Sequence, residues 1–570
     1  MSFDSIFAAN KQVSPMLRRG FLAPFISALL FAMLSAQCAL GQGFQMTALN
    51  VPGGTGESTP WGINTSGEVA GTFTPKGDAN LKGFVYSGGK YTVLSGPPGT
   101  DGRVRALGIN SAAKTVVVGD YLAGGRYHGY MYESGKYIDF DYDSTDSTAI
   151  FGINDNGDFA GTFGHVGAAQ EGFLVTKNGD RYEFYGNGAA NTYVYGINNS
   201  DEVVGTYYDS NNLSHGFLRA ANGKITDINY PGAAQTYLYG INAAGEIAGT
   251  YITSKGQDYG FTYLKGKFKV SDFATVNGLN GAGAYVGTYF GVDGVATGYV
   301  AVPQAFKLSK VEIPASYSQY WSVINGINNA GVMVGGWNDA SGNTHGMMIA
   351  NGHVTTIDNP DGVQTILFAI NSKNQIVGDA FDNQGNPHGF LYENGKFTSV
   401  PGPSDALSSD ATGINEAGWI AGDYYASTDK THHAFILKGK SYKYLDVAGS
   451  FGTFTAGINN AGTVVLVWVD ADAGIRASVY NGSAYVPIDV PGAATNNAGS
   501  INTAGEIVYR ITDWNGNGHA ALKKGKDYWV FDFPGGVNSG GLAINDAGKI
   551  VGFYSPAAKP GTQLLFEGTE

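Results

Sequence analysis

A three-residue motif recurs twelve times along this 570-residue chain, and the repetition constrains the fold more than any other feature of the sequence. The motif is a small residue, then Ile or Leu, then Asn, and successive copies lie 38 to 48 residues apart. A period of this length is typical of propellers and related arrays, in which each copy is one supersecondary unit. The motif ends at Asn64, Asn110, Asn154, Asn198, Asn242, Asn280, Asn328, Asn371, Asn415, Asn459, Asn502 and Asn545.

One copy, TYLYGINAAGEIAGTYITSKGQDYGFTYLKGKFKVSDF, shows which elements the unit predicts. Residues 236–242 alternate aromatic and small side chains, as a strand does. Asn242 and Gly245 then supply the turn of a short hairpin, and two more strands follow across a polar loop and a glycine turn. Four short strands in about 44 residues is the period of a β-propeller blade.

The sixth copy departs from the others at the turn between its third and fourth strands. Ten copies place a glycine there, which suits a tight turn. The sixth copy instead has Val302, Pro303 and Gln304, and proline favours an extended backbone for itself and for the residue before it. We therefore expect a linker at residues 303–305 and no hairpin.

The two ends of the chain complement each other. Residues 44–52 resemble the fourth strand of a repeat copy, but no first, second or third strand precedes them. The chain ends after a strand that resembles the third strand of a copy, with no fourth strand after it. Each half would then begin with a fourth strand and end with a third, so its first strand would complete its last blade. The sequence predicts an all-β fold of two tandem six-bladed β-propellers of four-stranded blades, at residues 44–302 and 306–570, each closed by its own N-terminal strand.

The repeat resembles that of the secreted bacterial HAF-type extracellular repeat proteins. The unit has the form GIN..G.IVG.Y followed by H[AG]F, which is plainest in HHAF at residues 432–435 and in HGF at His215 and His388. The resemblance extends over residues 44–570. It implies export and a propeller-like β-fold, and it brings no catalytic residue or ligand.

Residues 1–41 have the features of a leader with a secretory signal peptide. Arg18 and Arg19 precede an apolar run that is too short to span a bilayer, and small residues follow at Ala39 and Gly41. We expect translation to start at Met16, cleavage after Gly41, and a secreted protein in the extracellular space or the periplasm. The arginine pair leaves both general and twin-arginine export open.

The charge of the processed chain excludes several classes of partner. Removal of residues 1–41 leaves 34 − 3 = 31 basic and 47 − 1 = 46 acidic residues, a net charge of about −15. An acidic chain without a basic run argues against nucleic acid and anionic membranes as partners. The only cysteine, Cys38, is also removed, so stability depends on packing and not on disulfides.

The repeated asparagines and histidines are candidate site residues with a structural explanation. The Asn of each motif can cap its turn through its own backbone, and the alternative is that six amides converge at a channel mouth and hold a cation or a sugar. Six histidines share one register before the third strand, where other copies have Lys82, Glu171 or Thr297, so we expect them to be structural. The structural turn residues proposed are Asn64, Asn154, Asn198, Asn242, Asn328, Asn415 and Asn459.

One loop carries a possible calcium signature. In DWNGNG, the residues Asp513, Asn515 and Asn517 match the opening of an oxygen-rich calcium loop. Lys524 stands where an EF-hand needs a bidentate acid, so an EF-hand is excluded. A polar turn explains the same residues, as it does the runs from Asp339 and Asp382, and no other cofactor is expected.

The sequence favours a secreted, non-catalytic repeat protein that serves as a binding scaffold for a polysaccharide or a cell-surface protein. The alternative is an extracellular polysaccharide hydrolase or lyase that uses carboxylates at a propeller mouth, because propellers host both kinds of function. A buried acid pair with a shifted pKa would favour the enzyme, and a flat aromatic face would favour the binding protein. The ligand and the oligomeric state stay open.

Overall fold

The computed structural model describes residues 39–570 except 145, 165–168, 188, 190, 272–274, 291–293, 319–320, 472–473, 489 and 514–515, with side chains from residue 43 and without that of Ser318. The described residues form 47 strands and one four-residue helix, α1 (Ala315–Ser318). No helix in these ranges is long and apolar enough to cross a membrane.

The first half of the chain contains strands β1 to β24. Five antiparallel sheets each take four consecutive strands, starting with β2, β6, β10, β14 and β18. The bounds are β1 (Ala39–Ala48), β2 (Gly54–Ile63), β3 (Val69–Pro75), β4 (Lys82–Ser87), β5 (Lys90–Leu94), β6 (Val104–Ile109), β7 (Val116–Ala123), β8 (Arg126–Glu133), β9 (Lys136–Phe140), β10 (Ser147–Ile153), β11 (Phe159–Gly164), β12 (Glu171–Val175), β13 (Arg181–Phe184), β14 (Asn191–Ile197), β15 (Val203–Tyr208), β16 (Ser214–Arg219), β17 (Ile225–Asp227), β18 (Gln235–Ile241), β19 (Ile247–Ile252), β20 (Asp258–Leu264), β21 (Lys267–Val270), β22 (Gly278–Leu279), β23 (Tyr285–Phe290) and β24 (Ala296–Lys310).

The second half contains strands β25 to β47 in the same arrangement. Four-strand groups start at β25, β29, β33, β37 and β41, and one parallel bridge between His388 and Ser409 links the second group to the third. The bounds are β25 (Ser322–Ile327), β26 (Met333–Asn338), β27 (Thr344–Ala350), β28 (His353–Thr356), β29 (Gln364–Ile370), β30 (Ile376–Phe381), β31 (Pro387–Glu393), β32 (Lys396–Ser399), β33 (Ala406–Ile414), β34 (Ile420–Ala426), β35 (His432–Lys438), β36 (Ser441–Tyr444), β37 (Gly452–Ile458), β38 (Val464–Val469), β39 (Ile475–Tyr480), β40 (Tyr485–Pro487), β41 (Thr495–Ile501), β42 (Ile507–Thr512), β43 (Gly518–Lys524), β44 (Asp527–Phe531), β45 (Gly540–Ile544), β46 (Ile550–Tyr554) and β47 (Leu564–Thr569).

The repeated residues of each unit have local structural reasons. Gly245 closes the first hairpin at φ 76°, a value that glycine adopts without strain. A Cβ on Gly249 in the second strand would lie 2.3 Å from the Tyr237 carbonyl oxygen and 2.7 Å from the Phe261 ring. The mid-strand glycine therefore permits a close approach of the backbone and of the buried aromatic ring in the third strand.

The hydrophobic core lies between neighbouring sheets. One cluster combines Ala160 and Leu174 of the sheet that starts with β10 with Val194 and Phe217 of the next sheet. Further clusters of the same kind join other pairs of consecutive sheets. A repeat of this kind buries its apolar faces only when its neighbours are present. The predicted all-β, propeller-like fold of many four-stranded sheets is confirmed.

Strand β24 passes from one half of the chain to the other without a turn. Its first part pairs with β23, and residues 307–310 pair with β47 at the end of the chain. The residues predicted as a linker, 303–305, lie inside this 15-residue strand, where Pro303 and Gln304 face Phe44 and Gly43 of β1. An extended backbone suits proline, and the strand stays paired because a neighbouring strand runs along it.

Strand β1 lies beside β24 over its full length. Ala48 is opposite Tyr299 and Ala39 is opposite Leu308, so β1 contacts both parts of β24. The same strand pairs on its other edge with β44, where Met46 is opposite Tyr528. Cleavage after Gly41 would remove the first three residues of β1 and leave the remainder of the strand in place.

The side-chain amides of the motif asparagines link consecutive sheets in two closed circuits. Each Nδ2 donates to the backbone carbonyl of the Asn in the next sheet at 2.9 to 3.3 Å. The last Asn in each circuit donates back to the first. The first circuit runs through Asn64, Asn110, Asn154, Asn198, Asn242 and Asn280, and the second through Asn328, Asn371, Asn415, Asn459, Asn502 and Asn545.

Candidate functional site

The position three residues before each motif Asn differs between the two halves. In the first half it carries large aromatic residues in four of six copies, and their rings contact one another. The ring centroids of Trp61 and Tyr239 are 6.3 Å apart, those of Tyr195 and Tyr239 are 5.3 Å apart, and those of Phe151 and Tyr195 are 5.1 Å apart. Trp61 belongs to the first copy and Tyr239 to the fifth, which are two steps apart in the circuit of six. Their contact therefore lies toward the middle of the first circuit and not between neighbouring sheets.

The same position carries an aromatic residue in only one of six copies in the second half, and a cavity of about 450 Å³ lies there. Small-molecule sites in proteins commonly measure about 300 to 1,000 Å³. The six residues are Asn325, Phe368, Thr412, Ala456, Gly499 and Leu542, and all six line the cavity.

A second repeat position also changes between the halves. It is the residue after the mid-strand glycine of the second strand, or after the residue that replaces this glycine. In the first half it is Thr72, Asp120, Thr162, Thr206, Thr250 and Thr288. In the second half it is Gly336, Asp379, Asp423, Val467, Arg510 and Phe553. Threonine fills this position in five copies of the first half and in none of the second.

The two aspartates at this position replace a threonine hydrogen bond and add a charge. Thr162 Oγ1 accepts the backbone N–H of Val194 in the next sheet at 3.0 Å. In the same way, Asp379 Oδ1 accepts the N–H of Ala411 at 3.0 Å. Asp423 Oδ1 also accepts a backbone N–H of the next sheet, at 3.5 Å. A hydroxyl is enough for this contact, so the sheet packing does not explain why a carboxylate is used.

Charged groups lie on opposite walls of the cavity. Asp379 and Asp410 line it from the eighth and ninth copies, and Arg510 lines it from the eleventh. The eighth and eleventh copies are three steps apart in a circuit of six, so Asp379 and Arg510 face each other across the middle. Trp321, Phe381, Phe553, Asn497, Thr455 and Gln563 also line the cavity.

Asp410 belongs to a buried cluster behind the cavity wall. It is hydrogen-bonded to Asp423, whose Oδ2 lies 3.3 Å from His432 Nδ1. Both carboxylates are almost completely buried, and the His432 side chain is 9% exposed. One ligand atom from each of the three residues lies within 4.8 Å of the others. Two carboxylates and an imidazole are a donor set that could hold a divalent transition-metal ion.

The protonation of this cluster is shifted by its surroundings. Burial raises the pKa of the Asp423 carboxyl well above its ordinary value, and the charge of Asp379 acts in the same direction. Hydrogen bonds to the backbone of Thr455 and to Asp410 oppose this shift without reversing it. Asp423 therefore holds a proton at pH values where an exposed aspartate is ionised, and it can share that proton with Asp410.

Arg510 supplies the positive charge of the opposite wall. Its guanidinium carbon lies 5.3 Å from the centroid of the Phe553 ring, within the range of a cation–π contact. Burial lowers the pKa of this guanidinium below its ordinary value. In the first half, by contrast, Arg105 and Asp120 bind each other directly through the guanidinium and the carboxylate.

The predicted turn asparagines use both amide atoms within the protein. Asn64 Oδ1, for example, accepts the backbone N–H groups of Ser66 and Glu68, while its Nδ2 donates to Glu68 and to the Asn110 carbonyl. The same acceptance of the N–H groups two and four residues later occurs at Asn154, Asn198, Asn242, Asn328, Asn415 and Asn459. These contacts account for the amides without a cation or a sugar.

The six histidines of the shared register contact aspartates away from the cavity. His433 lies 3.0 Å from both Asp446 and Asp429, and His345 lies 2.8 Å from Asp358. His432 points to the other face of its strand, as alternation requires, and contacts Asp423. The structure thus separates the adjacent pair into one outer histidine and one member of the buried cluster.

The residues proposed for calcium form a turn of their own. Asp513 Oδ1 accepts the backbone N–H of Asn517 at 2.7 Å, and its Oδ2 accepts the Asn517 side-chain amide at 2.9 Å. The third proposed ligand, Asn515, lies outside the described residues. Asp339 and Asp382 make the same pair of contacts four residues ahead, to Asn343 and Asn386.

Sequence analysis did not single out Asp379, Asp410, Asp423 or Arg510. The signal for three of them was present in the repeat itself, because each replaces a residue that is threonine in most copies of the first half. Asp410 has no such marker, since the first strands vary at its position.

Several solved structures are similar to parts of this chain. A gluconolactonase from Xanthomonas campestris is 12% identical with a TM-score of 0.32, and the match covers 46% of this chain and 89% of that protein. A streptogramin B lyase is 14% identical with a TM-score of 0.29, over 62% and 96% of the two chains. The β-propeller domain of the trilobed protease from Pyrococcus furiosus is 10% identical with a TM-score of 0.29, over 58% and 95%.

No protein-family model matches the sequence, and no curated protein matches it.

Proposed function

We propose that the chain forms two tandem six-bladed propellers, residues 44–302 and 306–570, each completed by its own N-terminal strand. Each asparagine circuit has six members and returns to its starting sheet, which supports this arrangement. The pairing of β1 with β24 and of β24 with β47 supports closure, because each pair joins the first strand of a half to its last third-type strand.

We propose that the protein is a secreted scaffold of the HAF-repeat type that binds a polysaccharide through the cavity of its second half. The observation that carries this proposal is the contrast between the aromatic contacts in the middle of the first half and the 450 Å³ cavity in the second. Carboxylates, amides and hydroxyls accept or donate hydrogen bonds to sugar hydroxyls, and Trp321, Phe381 and Phe553 offer apolar faces.

Glycan-array screening of the purified protein, followed by titration calorimetry of each hit, tests the binding function. The matched variant is Ala456→Tyr, which places in the cavity the residue that Tyr195 and Tyr239 provide in the first half. We expect this variant to fold and to lose binding. Thr398→Tyr adds the same side chain to an exposed fourth strand and should bind normally. Wild-type protein that binds no glycan, or an Ala456→Tyr variant that binds normally, would contradict the proposal.

Export is tested by expression of the chain with and without residues 1–41, followed by fractionation and mass spectrometry of the product. We expect the full chain outside the cytoplasm with a new N-terminus at Gln42, and the shortened chain retained inside. Retention of the uncut chain in the cytoplasm would contradict export.

A second candidate function is hydrolysis or elimination at a polysaccharide bond, and the Asp410–Asp423 pair favours it. A carboxyl group whose pKa is raised can act as a general acid, and Asp410, which is hydrogen-bonded to Asp423, lines the cavity. Product analysis of each bound oligosaccharide tests this function. We expect Asp410→Asn to abolish cleavage and retain binding, whereas an intact oligosaccharide after long incubation with wild-type protein would leave binding as the function.

A further inference from the structure

We propose that the cavity of the second half takes an acidic sugar, a uronate residue whose carboxylate binds Arg510 while its ring hydroxyls donate to Asp379 and Asp410. The inference rests on the proposed carbohydrate binding and specifies the class of sugar.

The carrying observation is the separation of charge across one cavity. Asp379 and Asp410 line the cavity from neighbouring sheets, and Arg510 lines it from a sheet that lies three steps from that of Asp379 and two steps from that of Asp410 in the circuit of six. A ligand that satisfies both walls must carry a negative group at one end and hydrogen-bond donors at the other. A pyranose with a carboxylate at carbon 5 has this polarity, because its hydroxyls on carbons 2 and 3 lie across the ring from the carboxylate.

The geometry of Arg510 suits a carboxylate. A guanidinium presents parallel N–H donors that match the two oxygens of a carboxylate, and such charge-assisted pairs are stronger than neutral hydrogen bonds. The centroid of the Phe553 ring lies 5.3 Å from the guanidinium carbon, so the ring packs against this group. The wall around it is buried and apolar in part, which strengthens an ion pair formed there.

The aspartates suit sugar hydroxyls for a related reason. Asp379 Oδ1 is held by the N–H of Ala411, and Asp410 is held by Asp423, so both carboxyl groups are fixed by the protein before a ligand enters. Fixed acceptors reduce the ordering cost of binding and set the orientation of the donors they take. Asn325, Asn497 and Thr412 line the same cavity and offer further neutral contacts to hydroxyls.

Comparison with the first half shows that the charges are not a general feature of the repeat. In the first half, Arg105 and Asp120 lie opposite each other on neighbouring strands, and their charges are paired within the protein. In the second half, Asp379 and Arg510 both occupy the repeat position of Asp120, and they line one cavity from different sheets. This placement gives one cavity of about 450 Å³ both an anion site and a hydroxyl site.

Titration calorimetry with full-length mature protein tests the inference. The ligands are an oligogalacturonide, the same oligosaccharide with its carboxyl groups reduced to alcohols, a sulfated oligosaccharide of equal length, and free glutamate. We expect the oligogalacturonide to bind about tenfold or more tightly than its reduced form, because one charge-assisted pair is lost on reduction.

The matched variants are Arg510→Thr, which restores the residue of five first-half copies, and Arg510→Lys, which keeps the charge without the fork. We expect Arg510→Thr to lose the preference for the acidic form and to bind the reduced form about as well as wild type. Arg510→Lys should retain a smaller preference. Circular dichroism and melting curves verify that both variants are folded.

Equal binding of the acidic and reduced forms would overturn the inference and leave the carbohydrate function intact. An unchanged preference in Arg510→Thr, or tighter binding of the sulfated oligosaccharide or of glutamate, would overturn it as well. If no saccharide binds wild-type protein, the proposed function itself fails and the inference fails with it.

Discussion

The side-chain amide of Asn545 donates to the backbone carbonyl of Asn328, 217 residues earlier in the chain, at 3.0 Å. The equivalent contact in the first half joins Asn280 to Asn64 at 2.9 Å over 216 residues. The same amide that caps a local turn thus also fixes the first and last sheets of each half side by side. Asn280 and Asn545 therefore link the conformation of one turn to the contact between the first and last sheets of each half.

We predict that Asn280→Ala destabilises the first half. The substitution removes two hydrogen bonds that Asn280 Oδ1 accepts from Ala282 and Ala284 and one that Nδ2 donates to the buried Asn64 carbonyl. The expected loss is about 2 to 4 kcal/mol in the free energy of unfolding. Urea unfolding followed by tryptophan fluorescence measures it. Asn222→Ala removes one exposed cap, that of Lys224, and should cost less than about 1 kcal/mol.

We predict that a chain starting at residue 53 is less stable than one starting at residue 42. The deletion removes Phe44, Met46, Leu49 and Val51, all buried, and burial of each contributes about 1.5 to 3 kcal/mol. It also exposes the edges of β24 and β44, which are prone to pair with other chains. Differential scanning calorimetry and size-exclusion chromatography should show a lower melting temperature and aggregation, and equal behaviour of the two chains would contradict the closure.

The architecture was predictable because its causes are local and repeated. Gly249 leaves no room for a Cβ beside the Tyr237 carbonyl, so the glycine returns in most copies. The absence of a turn glycine at residues 302–304 marked a place where the third strand does not turn back into a fourth. The sequence did not indicate that residues 303–305 are paired with another strand, because their partner is β1, which lies more than 250 residues earlier in the chain.

The site was not predictable from single residues. Asp379 and Asp423 stand 44 positions apart, and the packing of consecutive sheets brings their strands together. The cavity is the sum of six positions on six sheets, and no one of them is unusual alone. Which repeat positions face the middle also depends on the fold, so the loss of threonine in the second half had no evident meaning in the sequence.

We predict that Asp423→Thr makes the protein more stable at neutral pH. The pKa of Asp423 is higher in the folded protein than in the unfolded chain, where it is about 3.9. The contribution of Asp423 to the free energy of unfolding therefore falls as the pH rises from the unfolded pKa through the folded pKa. Threonine keeps the contact to Thr455, as Thr162 does to Val194, and does not ionise. Unfolding curves at pH 4.5 and pH 7.5 should show a gain over wild type that is larger at pH 7.5. A gain that is equal at both pH values would contradict a raised pKa.

We predict that His345 and His433 stabilise the fold at mildly acid pH. Desolvation lowers the pKa of His345 and His433, but hydrogen bonds and charges of their aspartates outweigh it, so both pKa values are raised. A raised histidine pKa gives stability that is complete below the unfolded value of about 6.5 and is lost as pH rises through the folded value.

The double variant His345→Thr and His433→Thr tests this, since Thr297 occupies the same register in the sixth copy. Melting curves from pH 5.5 to 8.5 should show a decrease in wild type that is smaller in the double variant. His353→Thr, at an exposed position in β28, should follow wild type, and an identical slope in the double variant would contradict the assignment.

We predict that the two halves associate when they are produced as separate chains, residues 42–302 and 303–570. Strand β1 pairs with β44 from Gly43 to Met46, and it lies beside Pro303 and Gln304 on its other edge, so the first chain retains contacts with the second. Phe44 and Met46 pack in one cluster with Tyr528 and Val530. The two chains should elute together in size-exclusion chromatography, and a first chain starting at residue 53 should elute alone. If the chain of residues 42–302 elutes separately from residues 303–570, the continuous backbone of β24, and not the pairing of β1, holds the two halves together.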